Sequence, residues 1–346
     1  MMLRDRDYIE TLEGLLFCVV GYLHPPGRYT AYLKYLPSKD GLWSRGSTRY
    51  ARVIKRYHAL EVRESMRILE EKYPHYVHYC PVRHIRISMV PQEDVKRVYV
   101  PRERLAEIML SPNDKLEKEV CHLVDIISDV SKVNHDDLGV TGSILLGIHN
   151  PEFSDIDLVV YGRSVALEVM ETLAELSGRE GSPIRRPGRG KLEEWTANLI
   201  SLFGLSPRQA REIASRRWNY LRFHNRFFSV HPVRKDHEIR ERYGEKVYYP
   251  VGVVEGECLV HDASESVFLP AIYRVEEVEV RGWRDVPEVR EIVSYEGIFS
   301  SILREGERAE FRGKLERVHV KGGKPYYRVV IGTFEVRDNY IAPVVR

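Results

Sequence analysis

Asp155-Ile156-Asp157 heads an apolar run that continues to Tyr161, and eleven residues separate it from an earlier Gly142-Ser143 pair. Residues two apart on a strand share a face, so the two aspartates point one way while Ile156 and Leu158 turn to the core. Carboxylates held side by side repel unless a hard cation lies between them, and Mg²⁺ (or Mn²⁺) is commonly bound by one or two carboxylates together with substrate phosphates. Upstream, Gly142-Ser143 opens a helix, where free backbone N–H groups and the Ser143 hydroxyl suit a phosphate. The chemistry implied is that of a metal and triphosphate platform.

This order of Gly-Ser, a helix-length spacer, Ser154-Asp155-Ile156-Asp157 and a strand resembles the nucleotidyltransferase superfamily of DNA polymerase beta. Gly147 and Ser154 also match its short-form members. The resemblance implies an enzyme that takes a nucleoside triphosphate, ATP by preference, and passes its nucleotidyl group to a hydroxyl with release of pyrophosphate. Asp155 and Asp157 would be the catalytic metal ligands, with Gly142, Ser143, Gly147 and Ser154 around the nucleotide. Family members usually carry a third acid on a later strand of the same sheet. That strand is expected at Arg226 to Val233, whose polar positions are Ser229 and His231 and which holds no acid. Glu257 and Asp262, flanking the next β segment, are the nearest acids, with Glu241 and Glu245 as further ones, and the third catalytic group is expected at Glu257 or His231. Ile144-Leu145-Leu146 replaces an arginine that often follows the Gly-Ser pair, so phosphate charge must be met elsewhere.

A basic tract offers the replacement. Between Arg179 and Arg242 there are 15 Lys/Arg against 7 Asp/Glu, although the whole chain carries only +2. Such asymmetry is the electrostatic footprint expected where phosphates dock. Arg186, Arg189 and Lys191, with Arg185, lie on a Gly/Pro-rich stretch and are candidate nucleotide-binding residues. Arg216, Arg217, Arg222 and Arg226 fall among Trp218, Tyr220, Phe223 and Phe227, a mixture suited to base stacking or to a core. The tract tips the expected acceptor towards RNA or another nucleic acid. His75, His78, Cys80 and His84 lie close together without a standard zinc spacing. Tyr326, Tyr327 and Phe334 read as half-buried strand aromatics.

The elements that must position these residues read as α+β. Two strands, Leu15 to Leu23 and Tyr29 to Tyr35, flank a His24-Pro25-Pro26-Gly27 turn. Arg63 to Tyr73 is an amphipathic helix stopped by Pro74, and Ile85 to Val90 a strand. Pro101 to Ile108 is helical, and Asp114 caps a helix from Lys115 to about Val130. From Val140 the chain reads as strand, turn, helix, strand and helix to Leu176, followed by a loop from Ser177 to Lys191. Helices are expected at Glu193 to Phe203 and Pro207 to Leu221, then strands at Arg226 to Val233, Lys246 to Val254, Cys258 to His261 and Ile272 to Val280. The last fifty residues alternate apolar and polar through a Gly322-Gly323 turn, as in a small sheet or barrel. Three units follow: an N-terminal α+β domain at 1–112, a nucleotidyltransferase core with a mixed sheet, helices and the basic tract at 113–235, and a mostly antiparallel β domain at 236–346.

At 346 residues with 43% hydrophobic and 30% charged side chains, composition is that of an ordinary globular protein and leaves no room for a membrane class. The opening residues lack a signal-peptide pattern, so a cytoplasmic location is expected. Four scattered cysteines make neither a disulfide framework nor a thiolate zinc site. Two alternatives stand beside transfer to a nucleic acid: a nucleotide- or RNA-binding module with impaired chemistry, and an adenylyltransferase that modifies a protein.

Overall fold

Asp114 begins the helix that underlies the candidate site. It adopts an extended conformation, its Oδ1 accepts the Glu117 backbone N–H at 2.9 Å, and Lys115–Ser131 follows as a helix. Leu116, Val120, Leu123, Val124 and Ile127 form its buried stripe at helical spacing. A second helix, Arg163–Gly178, adds Ala166, Val169, Leu173 and Leu176 to the same core. Against both lies a five-stranded mixed sheet in the order Ile184–Arg185, Tyr220–Phe223, Arg226–Val233, Ile156–Tyr161, Leu138–Val140. Only the pair Ile156–Tyr161 and Arg226–Val233 is parallel.

The computed structural model describes residues 2–54, 58–282 and 288–345. An eight-stranded antiparallel sheet precedes the core, built from strands between Tyr8 and Tyr99 and backed by the helix Ala59–Lys72. After the core, Lys246–Glu265 pairs with both Ala271–Val280 and Arg308–Val320. With Val289–Ser294 and Tyr326–Ile331 this closes a ring of five strands, and Tyr340–Pro343 adds to its rim. The fold is α+β. No helix among the described residues is long and apolar enough to cross a membrane.

Three elements differ from expectation. The stretch from Ser177 to Lys191 is not one loop, because buried Ile184 pairs with Phe223 at the sheet edge and a helix, Arg189–Phe203, already starts at Arg189. The helix from Pro207 stops at Arg216. Leu221 pairs with Phe228 in a strand instead, since burying Leu221 and Phe223 in the sheet core outweighs helix propensity. Lys246 to Val254 and Cys258 to His261 form one strand. Gly256 allows it: a Cβ there would lie 2.0 Å from the Glu279 carbonyl oxygen of the neighbouring strand.

The two helices Arg189–Phe203 and Pro207–Arg216 bury Trp195, Leu199, Phe203, Ala210 and Ile213 with the C-terminal ring, joining Val254, Phe311 and Ile341 in one core. Leu145, Leu146 and Ile148 pack instead with Tyr8, Tyr32 and Tyr35 of the first sheet. The site segment is therefore gripped from both ends of the chain.

Asp114→Ala removes the cap and, with it, the 2.8 Å hydrogen bond to His149 Nε2 on the loop that precedes Asp155. The expected loss is roughly 1 kcal/mol of stability, read as a shift in the denaturant midpoint at unchanged slope.

Candidate active site

Alternation along Ile156–Tyr161 decides which residues face the cleft. Ile156, Leu158 and Val160 are buried on the helices, together with Phe228 and Val230 of the neighbouring strand. Each such side chain contributes about 1.5–3 kcal/mol when buried, and a slip of one residue would expose them all. Asp155 and Asp157 are thereby held on the opposite face. Ser229 lies directly opposite Asp157 in the parallel register, and Tyr220 opposite Ser229.

Gly142 meets Asp157 edge on. Its φ is +67°, and a Cβ built there would stand 2.5 Å from Asp157 Oδ2, so only glycine fits. The Thr141 N–H donates to the Asp157 carbonyl at 2.8 Å, and the Thr141 hydroxyl donates to the Arg6 carbonyl at 2.9 Å. These bonds seat the turn on the strand and tie both to the N-terminal segment. The helix opened by Gly142 is only one turn, Gly142–Leu145.

Ser229 Oγ donates to Asp157 Oδ1 and lies 2.8 Å from His231 Nε2. A serine hydroxyl has one proton, so the bond to His231 must be donated by Nε2–H. Burial, with Arg6 nearby, pushes the His231 imidazole down to about 4, so the ring is neutral near pH 7. A relay of donors thus runs His231, Ser229, Asp157. Burial works to raise the Asp157 carboxyl, but the His231 and Ser229 side and the Lys34 ammonium outweigh it and hold the group below the usual carboxylate range. Asp155 behaves oppositely. Burial and then the Asp157 charge push it up to about 6, against Arg52, Arg226 and Lys191. Two carboxylates this close repel each other, and the donor set of two oxygen ligands beside a small backbone cradle fits Mg²⁺ or Mn²⁺.

The pair lies in a cleft of about 480 Å³ walled by all three parts of the chain. Arg6 comes from the segment before the first sheet and Lys34 and Arg52 from the sheet itself; Lys191, Trp195 and Arg217 from the helical segment and its end; Leu269, Glu296 and Ile298 from the C-terminal part. Burial and Arg52 push Lys34 down to about 7. Arg217 is stacked 4.5 Å from the Trp195 ring and 4.8 Å from the Tyr220 ring, and its Nε is buried without a partner. No carboxylate pairs with it among the described residues, and burial pulls its guanidinium down to about 10.

Of the residues expected from sequence, Gly142, Ser143, Ser154, Asp155, Asp157, Lys191 and His231 line this cleft. Ser154 Oγ accepts the Asn150 N–H at 2.9 Å and shapes the loop, which Arg226 holds through the Ser154 and Pro151 carbonyls. The others lie elsewhere. Gly147, φ +63°, ends the short helix and is not part of the cleft wall. Arg186 donates to the Ser215 carbonyl at 2.8 Å, and Arg189 is 93% exposed and paired with Glu193. Glu257 sits in the C-terminal ring between Glu279 and Glu310, with Arg281 at 3.9 Å, because the strand that carries it closes that ring rather than extending the core sheet. Asp262 is bound to Arg274, Glu241 to Lys246, and Glu245 accepts the Arg242 N–H. Trp218 is a core residue. His75 is occupied by Glu13 and His84 by Tyr79.

Among the described residues one trio of metal-ligand type outside the cleft, Asp114, Glu117 and His149, has ligand atoms within 4.8 Å of one another. Its atoms are already committed: Asp114 to the helix cap and His149, Glu117 to Asn113 and Arg104. Sequence reasoning missed Arg6, Lys34, Arg52, Arg217 as an unpaired cation, and Glu296.

A nucleotidyltransferase domain model matches residues 114–222, the segment that carries the turn, the aspartates and the stacked arginine. An uncharacterized protein of Methanocaldococcus jannaschii is 31% identical over 345 residues, covering 99% of each chain. The chain belongs to the nucleotidyltransferase superfamily. No solved structure matches it. Ser229 holds the register position opposite Asp157, on the strand where the resemblance to the superfamily implies a third acid.

Gly142→Ala should lower Mg²⁺-triphosphate affinity at least tenfold while leaving secondary structure unchanged, measured by calorimetry and circular dichroism. Protons and cation compete for Asp155: below about pH 6 its carboxyl is protonated and loses its charge, above it the ligand is ionised. Mg²⁺ affinity should therefore fall as pH drops from 7 to 5, and Asp155→Asn should flatten that profile.

Proposed function

We propose that the chain transfers a nucleotidyl group from a nucleoside triphosphate, ATP by preference, to an acceptor hydroxyl, releasing pyrophosphate. One observation supports this above the rest: an aspartate pair, with Asp157 seated against Gly142, in a cleft whose wall includes a half-buried arginine that has no carboxylate partner among the described residues. A divalent cation held by Asp155 and Asp157 would supply neutralisation of phosphate charge. Arg217 takes phosphate oxygens, its guanidinium packed against the adjoining Trp195 and Tyr220 rings, and Lys34 adds charge from the first sheet. Ser143 orients the terminal phosphates. His231 is a positioning residue, because its Nε2–H points to Ser229 and not to a substrate.

RNA as acceptor rests on the basic tract, of which Lys191 and Arg217 border the cleft. The alternative of a binding module with impaired chemistry draws on Ser229 at the position opposite Asp157. Purified protein with Mg²⁺ and α-labelled ATP separates the two: label moved to an acceptor supports the enzyme, and tight triphosphate binding without transfer supports the module.

Asp155→Asn and Asp157→Asn should each weaken Mg²⁺-ATP binding at least tenfold, about 1.4 kcal/mol. His231→Ala should cost roughly 10–100-fold in turnover, the usual effect of losing a group that orients a metal ligand, while His231→Gln, which keeps an N–H donor, recovers part of it. Equal turnover in the alanine variant and the parent would remove His231 from the machinery.

A further inference from the structure

A second cavity, of about 200 Å³, lies between the first sheet and the C-terminal ring. Val20, Val62, Met66, Ile85, Ile87 and Val330 give it apolar walls. Its charged groups are mostly satisfied by one another. Lys314 pairs with Glu335 and with Glu316 at 3.7 Å, and Arg328 pairs with Glu316 at 2.9 Å while lying 3.5 Å over the Tyr248 ring. Arg83 is the exception. It lines the cavity with only the Tyr295 ring 5.6 Å away, and no hydrogen bond or ion pair engages it among the described residues. Thr333 Oγ1 is likewise buried there without a partner. The cavity and the aspartate cleft share His58, Leu269 and Glu296, so the two volumes meet at one wall.

Resting on the nucleotidyl-transfer reading, we propose that this cavity holds the acceptor: a small molecule with an apolar body, a carboxylate or similar anionic group bound by Arg83, and a hydroxyl directed past Glu296 to the aspartates. A polynucleotide needs a row of uncompensated cations for its phosphates, and this lining provides one. An apolar body removes water from the walls, the usual source of affinity in such a pocket, while a few polar groups set orientation. Thr333 offers a second polar contact. In the reaction the acceptor oxygen forms a bond to the α-phosphorus and the bond from that phosphorus to the bridging oxygen breaks. Pyrophosphate leaves with the electron pair, and the hydroxyl proton passes to the Glu296 carboxylate.

The probes are 3-(4-hydroxyphenyl)propionate and 6-hydroxyhexanoate, each carrying an apolar body, a hydroxyl and a carboxylate. Saturation-transfer NMR and calorimetry on the full chain should detect binding of at least one. Arg83→Ala should weaken it tenfold or more, Arg83→Lys less, and Ile87→Trp should block it by filling the cavity, with Mg²⁺-ATP affinity unaltered in all three. With α-labelled ATP, label should appear on the bound probe and disappear in Ile87→Trp. Absence of binding by both probes, or binding indifferent to both substitutions, overturns the proposal. So does label on added RNA or protein that persists in Ile87→Trp. Probe binding without any ATP binding would instead defeat the transfer reading and leave the cavity as a ligand site.

Discussion

An ionised carboxylate in the half-buried position of Asp157 must be compensated by the groups around it, and the arrangement of the rest of the cleft follows from that requirement. Backbone approaches it from one side, where Gly142 leaves no space for a Cβ. Hydroxyl and imidazole approach from the neighbouring strand through Ser229 and His231. A lysine approaches from another sheet altogether. Each of these depends on a different long-range contact: the parallel register of two core strands, the Thr141 bond to Arg6, and the packing of Leu145 and Leu146 among tyrosines of the first sheet. The active cleft is therefore a property of the assembled chain and not of the short motif that announces it.

Charge explains the same dependence. Asp155 is pushed up by its neighbour, and the groups that pull it down, Arg52, Arg226 and Lys191, come from three separated segments. Arg226 is itself held by Glu119 and two carbonyls, so it acts as a brace for the loop before Asp155 rather than as a phosphate ligand. Arg217 differs in having aromatic rings where a carboxylate would be. A guanidinium packed against two adjoining rings loses little freedom when it binds an anion, which is how a cation with no carboxylate partner among the described residues can be tolerated and still be useful.

The motif was legible because its physics is local. Period-two alternation put Asp155 and Asp157 on one face, Asp114 was readable as a cap, and the strand Arg226–Val233 was placed at its correct ends. What escaped was set by contacts distant in sequence. Nothing near Lys34 or Arg52 signals an active site, since their role arises only when the first sheet docks on the core. Glu257 failed for a related reason: an acid just beyond the core strands looks available, but twenty residues from Lys246 to Glu265 form one strand that carries it into the C-terminal ring. Ile184 in a run of glycine, proline and arginine was similarly hidden, because a single apolar side chain sufficed to pull that run onto the sheet edge. The three-residue strand Trp43–Arg45 is too short for alternation to register.

A serine opposite Asp157 alters the chemistry available on the sheet side of the cleft. A hydroxyl that donates its only proton to Asp157 has none left to exchange with a substrate, and His231 is spent in donating to that hydroxyl. The strand that supplies a third acid elsewhere in the superfamily here supplies only orientation. If the chain transfers a nucleotidyl group as proposed, the group that receives the acceptor proton must then come from another part of the cleft wall. Among the described residues lining that volume, the carboxylates apart from the aspartate pair are Glu194, which is tied to Lys191 near the surface, and Glu296, buried where the cleft meets the apolar cavity. On the proposed transfer reading, the position that can receive a proton is then the buried Glu296, where the cleft meets the apolar cavity, and it is in place only when the C-terminal ring is docked on the rest of the chain.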